Sequence, residues 1–181
     1  MSTPGHDQVL AACKEGALLP GRDDGALLEQ AIALSRHCPP SRTAYSVGAV
    51  LVAADGSVLS TGYSRQDGSP VHAEEAALRA LPPGAELRTA TLYCSLEPCS
   101  ERASAPRPCA ELIVSAGVGR VVVGWREPEL FVARCRGLEQ LRDAGVAVEE
   151  LPAYADLARR SNGHLPLGRP ATGPPGEGGP A

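Results

Sequence analysis

Four residues could carry chemistry in this chain: His72, Glu74, Cys99 and Cys109. An imidazole and two thiols suit zinc, and three protein ligands leave a fourth position open, as a catalytic zinc site requires. Glu74 sits two residues beyond the histidine. It would stay unliganded and serve as a general acid and base beside a metal-activated water. Neither half of the set decides the matter alone. An H-x-E pair is most often a surface histidine next to a solvated glutamate. Nine residues separate Cys99 from Cys109, a wider gap than the C-x₂₋₄-C turn of most zinc sites, and buried structural thiols are a fair alternative.

These residues must be positioned by the elements around them. Leu27, Leu28, Ile32 and Leu34, with alanines between, predict a helix over Gly25–His37. Asp23 or Asp24 would cap it and Cys38-Pro39-Pro40 would end it. Val47–Ala53 predicts a buried strand, Asp55-Gly56 a turn, and Val58–Tyr63 the returning strand of a hairpin. A helix over Ala73–Leu81 would put His72 and Glu74 at its N-terminus, where free N–H groups favour anions. Strands over Ala90–Ser95, Arg120–Gly124 and Val146–Glu149 alternate with helices over Cys109–Ala116 and Gly137–Ala144. Tyr154–Ser161 closes the run as a further helix. One hairpin followed by alternating strands and helices predicts an α/β fold, a three-layer α/β/α sandwich around a mixed, roughly five-stranded sheet.

The domain reading follows from composition. The chain has 181 residues, enough for one domain with a sizeable core. Residues 1–24 read as an N-terminal extension with a short helix over Gln8–Leu19, and residues 25–164 as the domain. Residues 165–181 read as a disordered tail, because nine of the fourteen residues from Gly168 onward are Gly or Pro. Aromatics make up 3% of the chain, so Ala, Leu and Val must build the core. The net charge of −4 and the lack of a visible basic face argue against nucleic acid as the main partner. No run approaches the ~18 apolar residues of a membrane span, so no membrane partner is expected. Six cysteines with no basic-then-apolar leader before them point to a cytoplasmic protein whose cysteines are thiols or metal ligands.

Taken in order, the motif becomes specific. His72-x-Glu74, then a strand running into Glu97-Pro98-Cys99, then a cysteine opening a helix, follows the signature H-x-E…P-C-x-x-C with a lengthened final loop. HAEEAAL with LYCSLEPCS resembles the cytidine/deoxycytidylate deaminase superfamily. The long loop CSERASAPRPC resembles the riboflavin-pathway pyrimidine deaminases, and among these the yeast type. TAYSVGAVLV, STGYSR, REPELFV and ARRSNGH are similar to that type in the same order, over Gly25 to His164.

The resemblance implies a cytidine deaminase-like fold and Zn²⁺ held by His72, Cys99 and Cys109, with Glu74 as the catalytic proton carrier. It also implies a dimer or tetramer, and a phosphorylated small-molecule substrate, a diaminopyrimidine bearing a ribosyl- or ribitylamino group. Arg65 and Arg102 are the expected substrate-binding residues, since a planar guanidinium suits a phosphate and both match the subgroup's runs. His164, in the closing segment, has a lesser claim. Two departures stand out. Where bacterial bifunctional members carry Asn-Pro-x-Val-Gly, this chain has Ala44-Tyr45-Ser46-Val47-Gly48, so the asparagine contact does not transfer. The fused reductase of those enzymes is not expected within these 181 residues. Competing readings are a deaminase of a nucleoside, nucleotide or free base such as cytidine, dCMP or guanine, a nucleic-acid-editing deaminase, and a noncatalytic zinc module. Few stacking aromatics count against the editing enzyme, and an unliganded Glu74 counts against the noncatalytic module.

Overall fold

The computed structural model describes residues 23–131 and 135–167. The helix expected over Gln8–Leu19, the extension up to residue 22, Cys13 and the tail from residue 168 lie outside them. Eleven elements run in order: α1 (Asp24–Ser35), β1 (Gly48–Val52), β2 (Val58–Tyr63), α2 (Ala73–Arg79), β3 (Thr91–Cys94), α3 (Cys109–Ala116), β4 (Arg120–Val123), α4 (Gly137–Asp143), β5 (Ala147–Glu150), a 3₁₀ turn (Pro152–Tyr154) and α5 (Ala155–Arg160). Each expected helix and strand of the domain is present, with ends displaced by a residue or two. Asp23 is the cap of α1, its side chain accepting from the Ala26 N–H at 3.0 Å. Gly117 closes α3 in the left-handed region at φ 78°.

The sheet order is β2-β1-β3-β4-β5. β1 pairs antiparallel with both β2 and β3, whereas β3–β4 and β4–β5 are parallel. The mixed sheet therefore starts as a hairpin and continues as crossover units, as the hairpin-then-alternation pattern predicts.

Period-two alternation sends side chains to two apolar layers. Ala49, Leu51, Leu92, Cys94, Val121 and Val123 face α2, α3 and α4, whose Ala73, Ala77, Ala110, Ile113, Leu138 and Leu141 complete that layer. Val50, Val52, Tyr93 and Val122 face the other way, onto Leu28, Ala31 and Ile32 of α1 and Ala158 of α5. The result is a three-layer sandwich. Small residues set its spacing. A Cβ at Gly62 on β2 would run into the backbone of Ala73 and Ala77, so glycine there lets α2 lie close on the sheet. Packing continues past His164, since Leu165 is 5% exposed within the core and Leu167 packs on it. Among the described residues no helix is long and apolar enough to cross a membrane.

Candidate functional site

Chain segments leaving one end of the sheet meet around a cavity of about 370 Å³. Its walls come from the approach to β1 (Thr43, Tyr45), the exit of β2 (Ser64, Arg65), the start of α2 (His72, Glu74), the exit of β3 (Leu96, Glu97, Cys99), the long loop (Glu101–Ser104) and the exit of β4 (Glu127, Phe131). The carboxyl ends of the parallel strands β3 and β4 open here, the usual place for a ligand in an α/β sheet.

His72 is the N-cap of α2 and makes no side-chain capping bond, which leaves its ring free to turn toward the cysteines. Cys109 is the first residue of α3. Cys99 lies in the turn after β3, and its sulfur accepts the Cys109 N–H at 3.3 Å. A Cβ at Gly137, the first residue of α4, would collide with the Pro98 carbonyl, so this glycine lets α4 press on the turn that carries Cys99.

The three side chains converge. His72 Nδ1 lies 3.5 Å from Cys99 Sγ and 3.4 Å from Cys109 Sγ. All three donor atoms fall within 4.8 Å of one another, the one such group among the described residues. A tetrahedral zinc with Zn–S of about 2.3 Å and Zn–N of about 2.0 Å has N···S edges of about 3.5 Å. The donor set fits the ion in chemistry and in spacing. Cys99 is held well below the usual thiol range, chiefly by the hydrogen bond from Cys109, then by His72 and the Cys109 N–H, against the effect of burial. One sulfur of the pair is thus readied as a thiolate.

Glu74 is 3% exposed. Its Oε2 lies 3.4 Å from Cys109 Sγ. Burial pushes its carboxyl up from the ordinary value, with His72 pulling the other way. A carboxyl kept from being firmly ionised suits a group that must both accept and return a proton.

The two expected substrate arginines both reach the cavity wall but are engaged differently. Arg102 is 6% exposed in its side chain and pairs with Glu75 at 2.6 Å. Its Nη1 approaches Cys109 Sγ at 3.9 Å, and its Nε has no partner. The guanidinium therefore backs the sulfur ligand. Arg65 donates to the carbonyls of Pro39 (2.8 and 3.2 Å) and Tyr45 (2.9 Å), bracing the segment ahead of β1. Its φ of 63° is the one positive value outside glycine among the described residues, a conformation that costs a non-glycine about 1–2 kcal/mol. Arg107 turns away to Ser115 and Glu111 on α3.

His164 is exposed, 3.5 Å from the Ala44 carbonyl, and is not part of the cavity wall. Cys94 is fully buried in the core layer, and burial raises its thiol well above the ordinary value. It packs and does not join the donor set.

Four contributors escaped sequence reasoning. Asn162 is 1% exposed. It receives the Ser46 N–H at 2.7 Å and donates to the Ser46 carbonyl at 3.1 Å, locking the closing segment to the approach to β1. Tyr45 stacks edge-on against Trp125 and Phe131. Glu97 accepts the backbone N–H groups of Glu127 and Leu138, both at 3.2 Å. Glu127 lies on the cavity wall. Both acids sit in Glu-Pro dipeptides just past the parallel strands β3 and β4, a repetition visible in the sequence that carries no role until the strands are seen to be neighbours.

Comparison with known proteins gives one consistent neighbourhood. The family described as "Cytidine and deoxycytidylate deaminase zinc-binding region" matches residues 22–125. The chain is 39% identical over 137 residues to the diaminohydroxyphosphoribosylamino-pyrimidine deaminase of Schizosaccharomyces pombe, covering 73% of this chain and 33% of that protein. It is 38% identical over 120 residues to riboflavin biosynthesis protein RibD of Escherichia coli, covering 66% and 31%. The crystal structure of a diaminohydroxyphosphoribosylaminopyrimidine deaminase/5-amino-6-(5-phosphoribosylamino)uracil reductase of Thermotoga maritima superposes with a TM-score of 0.63 at 32% identity, covering 76% of this chain and 38% of that one. The chain spans about a third of the length of these curated relatives.

Proposed function

The chain belongs to the cytidine and deoxycytidylate deaminase family defined by its zinc-binding region, and on that premise we propose that it is a zinc-dependent hydrolytic deaminase of a diaminopyrimidine bearing a ribosyl- or ribitylamino phosphate. The observation that carries the reading is the His72–Cys99–Cys109 cluster at tetrahedral spacing, with buried Glu74 beside it at the base of a cavity. When bound, zinc supplies Lewis acidity that makes water a competent nucleophile near neutral pH.

The chain's own residues do the rest. His72, Cys99 and Cys109 would hold the ion, and His72, Cys99 and Glu74 also line the cavity. Glu74 takes a proton from the attacking water as the oxygen bonds to the ring carbon bearing the amine, and delivers it to the adjacent ring nitrogen. It then carries the remaining hydroxyl proton to the amine. The C–N bond breaks, ammonia leaves and a carbonyl stays on the ring. Tyr45, Leu96 and loop residues Glu101–Ser104 wall the cavity and keep bulk water from the ring. Arg65 is the better placed of the two arginines for the substrate's phosphate. Its guanidinium is bound by carbonyl oxygens, whereas that of Arg102 is already paired with Glu75.

The choice of a diaminopyrimidine rests on the names of the relatives and on the long loop, which supplies Glu101–Ser104 to the cavity wall. Residues 25–164 are taken as the catalytic unit, assembled as a dimer or tetramer, a state that light scattering reads directly. The test is ammonia release by the zinc-loaded protein from the ribosyl and ribityl diaminopyrimidine phosphates, cytidine, dCMP and guanine. Turnover of the diaminopyrimidines at the highest kcat/KM is expected. Turnover of a nucleoside, of dCMP or of a free base alone would leave the chemistry standing and remove the substrate.

A further inference from the structure

The reaction above uses one carboxylate, Glu74; of the other acids on the cavity wall, Glu97 clamps backbone N–H groups, Glu101 is exposed on the long loop, and Glu127 is part-buried with no role so far. Glu127 follows β4, and its backbone is pinned from two sides. Its N–H donates to Glu97 Oε2 at 3.2 Å, and the carbonyl of the next residue, Pro128, accepts the Tyr45 hydroxyl at 3.1 Å. The preceding Trp125 carbonyl accepts the Glu97 N–H at 2.8 Å. A turn fixed at Trp125, Glu127 and Pro128 does not need the Glu127 side chain to hold it. That side chain lines the cavity with Tyr45, Phe131 and the cluster residues His72 and Cys99. The neighbouring Cys135 thiol, which reaches the Pro98 carbonyl at 3.8 Å, is a weak donor beside a group that can accept about four hydrogen bonds. Burial is the first cause of a carboxyl pushed up to about 7, with the neighbouring Cys99, Glu97 and Glu74 adding to it. A half-buried acid kept in such surroundings is costly unless a ligand supplies donors.

Ligand chemistry supplies the match. A diaminopyrimidinone whose leaving amine lies at the cluster still carries a second amine, a ring N–H and the N–H of its sugar substituent, all donors. The cytosine ring of a nucleoside or nucleotide, its N1 taken by the sugar, has only carbonyl and ring-nitrogen acceptors left. We propose that Glu127 is a specificity-determining residue, its carboxylate accepting hydrogen bonds from an amine or ring N–H of the pyrimidine that is not the leaving group, and so selecting an amine-rich ring over cytosine. A site built to bind donors rejects the analogue that lacks them by far more than a shape difference achieves.

This inference rests on the deaminase reading given above, and the experiment separates the two. Wild type, Glu127→Gln and Glu127→Asp are loaded with zinc, assayed for metal content and thermal stability, and given the ribosyl diaminopyrimidine phosphate and dCMP. Expected for Glu127→Gln is unchanged zinc content, KM for the diaminopyrimidine raised about 10-fold or more, kcat within about threefold, and a narrowed preference over dCMP, with partial recovery in Glu127→Asp. If wild type prefers the diaminopyrimidine and Glu127→Gln keeps KM within about twofold, the role of Glu127 is overturned and the function stands. If wild type turns over dCMP alone, both fall. Lost zinc or a collapsed melting transition in Glu127→Gln, with kcat and KM failing together, assigns the residue to the scaffold and overturns the proposal.

Discussion

The two faces of the sheet are equally apolar and do different work. One face packs Val50, Val52, Tyr93 and Val122 against α1 and α5. Leu28, Ala31 and Ile32 there are fully buried, and neither α1 nor α5 adds a residue to the cavity wall. The other face packs Ala49, Leu51, Leu92 and Cys94 against α2, α3 and α4. These helices begin beside the cavity end of the sheet, and His72, Glu74 and Cys109 stand at the first turns of α2 and α3. The difference lies in which helix ends the connections bring to the strand exits. Side chains on a helix start inherit the position of a rigid body, so this packed core face holds the three donor side chains in place relative to one another.

That division can be tested from both sides. The largest effect belongs to Glu74→Gln, which we expect to lower kcat by about 10²–10⁴-fold while zinc content and the melting temperature stay at wild-type values. Residual turnover near wild type would remove Glu74 from the chemistry. On the closed face, Ile32→Ala should cost about 2–5 kcal/mol of stability, read by urea unfolding, with zinc affinity and KM unchanged under native conditions. A shift in zinc affinity would mean the faces are coupled through the sheet.

Arg102→Met takes the cation away from Cys109 and leaves Glu75 with Arg79 as its remaining partner. We expect zinc affinity to fall about 10–100-fold, the usual cost of losing an outer partner of a metal ligand, measured by competition with a chelator. Unchanged affinity would return Arg102 to the substrate. The smallest effect lies at the sheet edge, where Glu150 pairs with Arg126 at 2.7 Å and Arg142 at 2.8 Å. Those arginines, Arg126 first, hold its carboxyl down to about 2. The folded value is below the unfolded one, so the pairing stabilises the fold above the ordinary carboxylate range of about 4.3 and is lost as pH falls toward 2. Glu150→Gln should flatten the acid limb of the stability curve in that window alone, and only slightly, since the group is part-exposed. Loss of stability at pH 7 beyond that small step would show a larger structural role.

Much of the fold was legible because its signals are local. Apolar spacing over Gly25–His37, the Asp55-Gly56 turn, the valines from Arg120 to Gly124 and Gly117 after α3 each report backbone preference within a few residues. The convergence of His72, Cys99 and Cys109 was legible because order in the chain preserves their motif. The cavity was not. Asn162 reaches Ser46 across 116 positions of sequence, and no periodicity records such a pair. Glu97 and Glu127 read alike, each a glutamate before proline after a strand, and both reach the cavity wall, but the fold alone makes the first a clamp on two backbone N–H groups. Arg102 was expected to meet a phosphate, because its charge was visible and its partner Glu75 was not.

The sequence by itself determined the element order, the period-two and helical faces that make a sandwich, and the order in which His72, Cys99 and Cys109 occur. Those depend on residue type and near-neighbour spacing. The tertiary structure alone decided which charges are already spent on one another, which acid is left facing the cavity, and how three donors 27 and 37 positions apart meet at tetrahedral spacing. Those depend on distances between segments, which packing sets and sequence order does not contain.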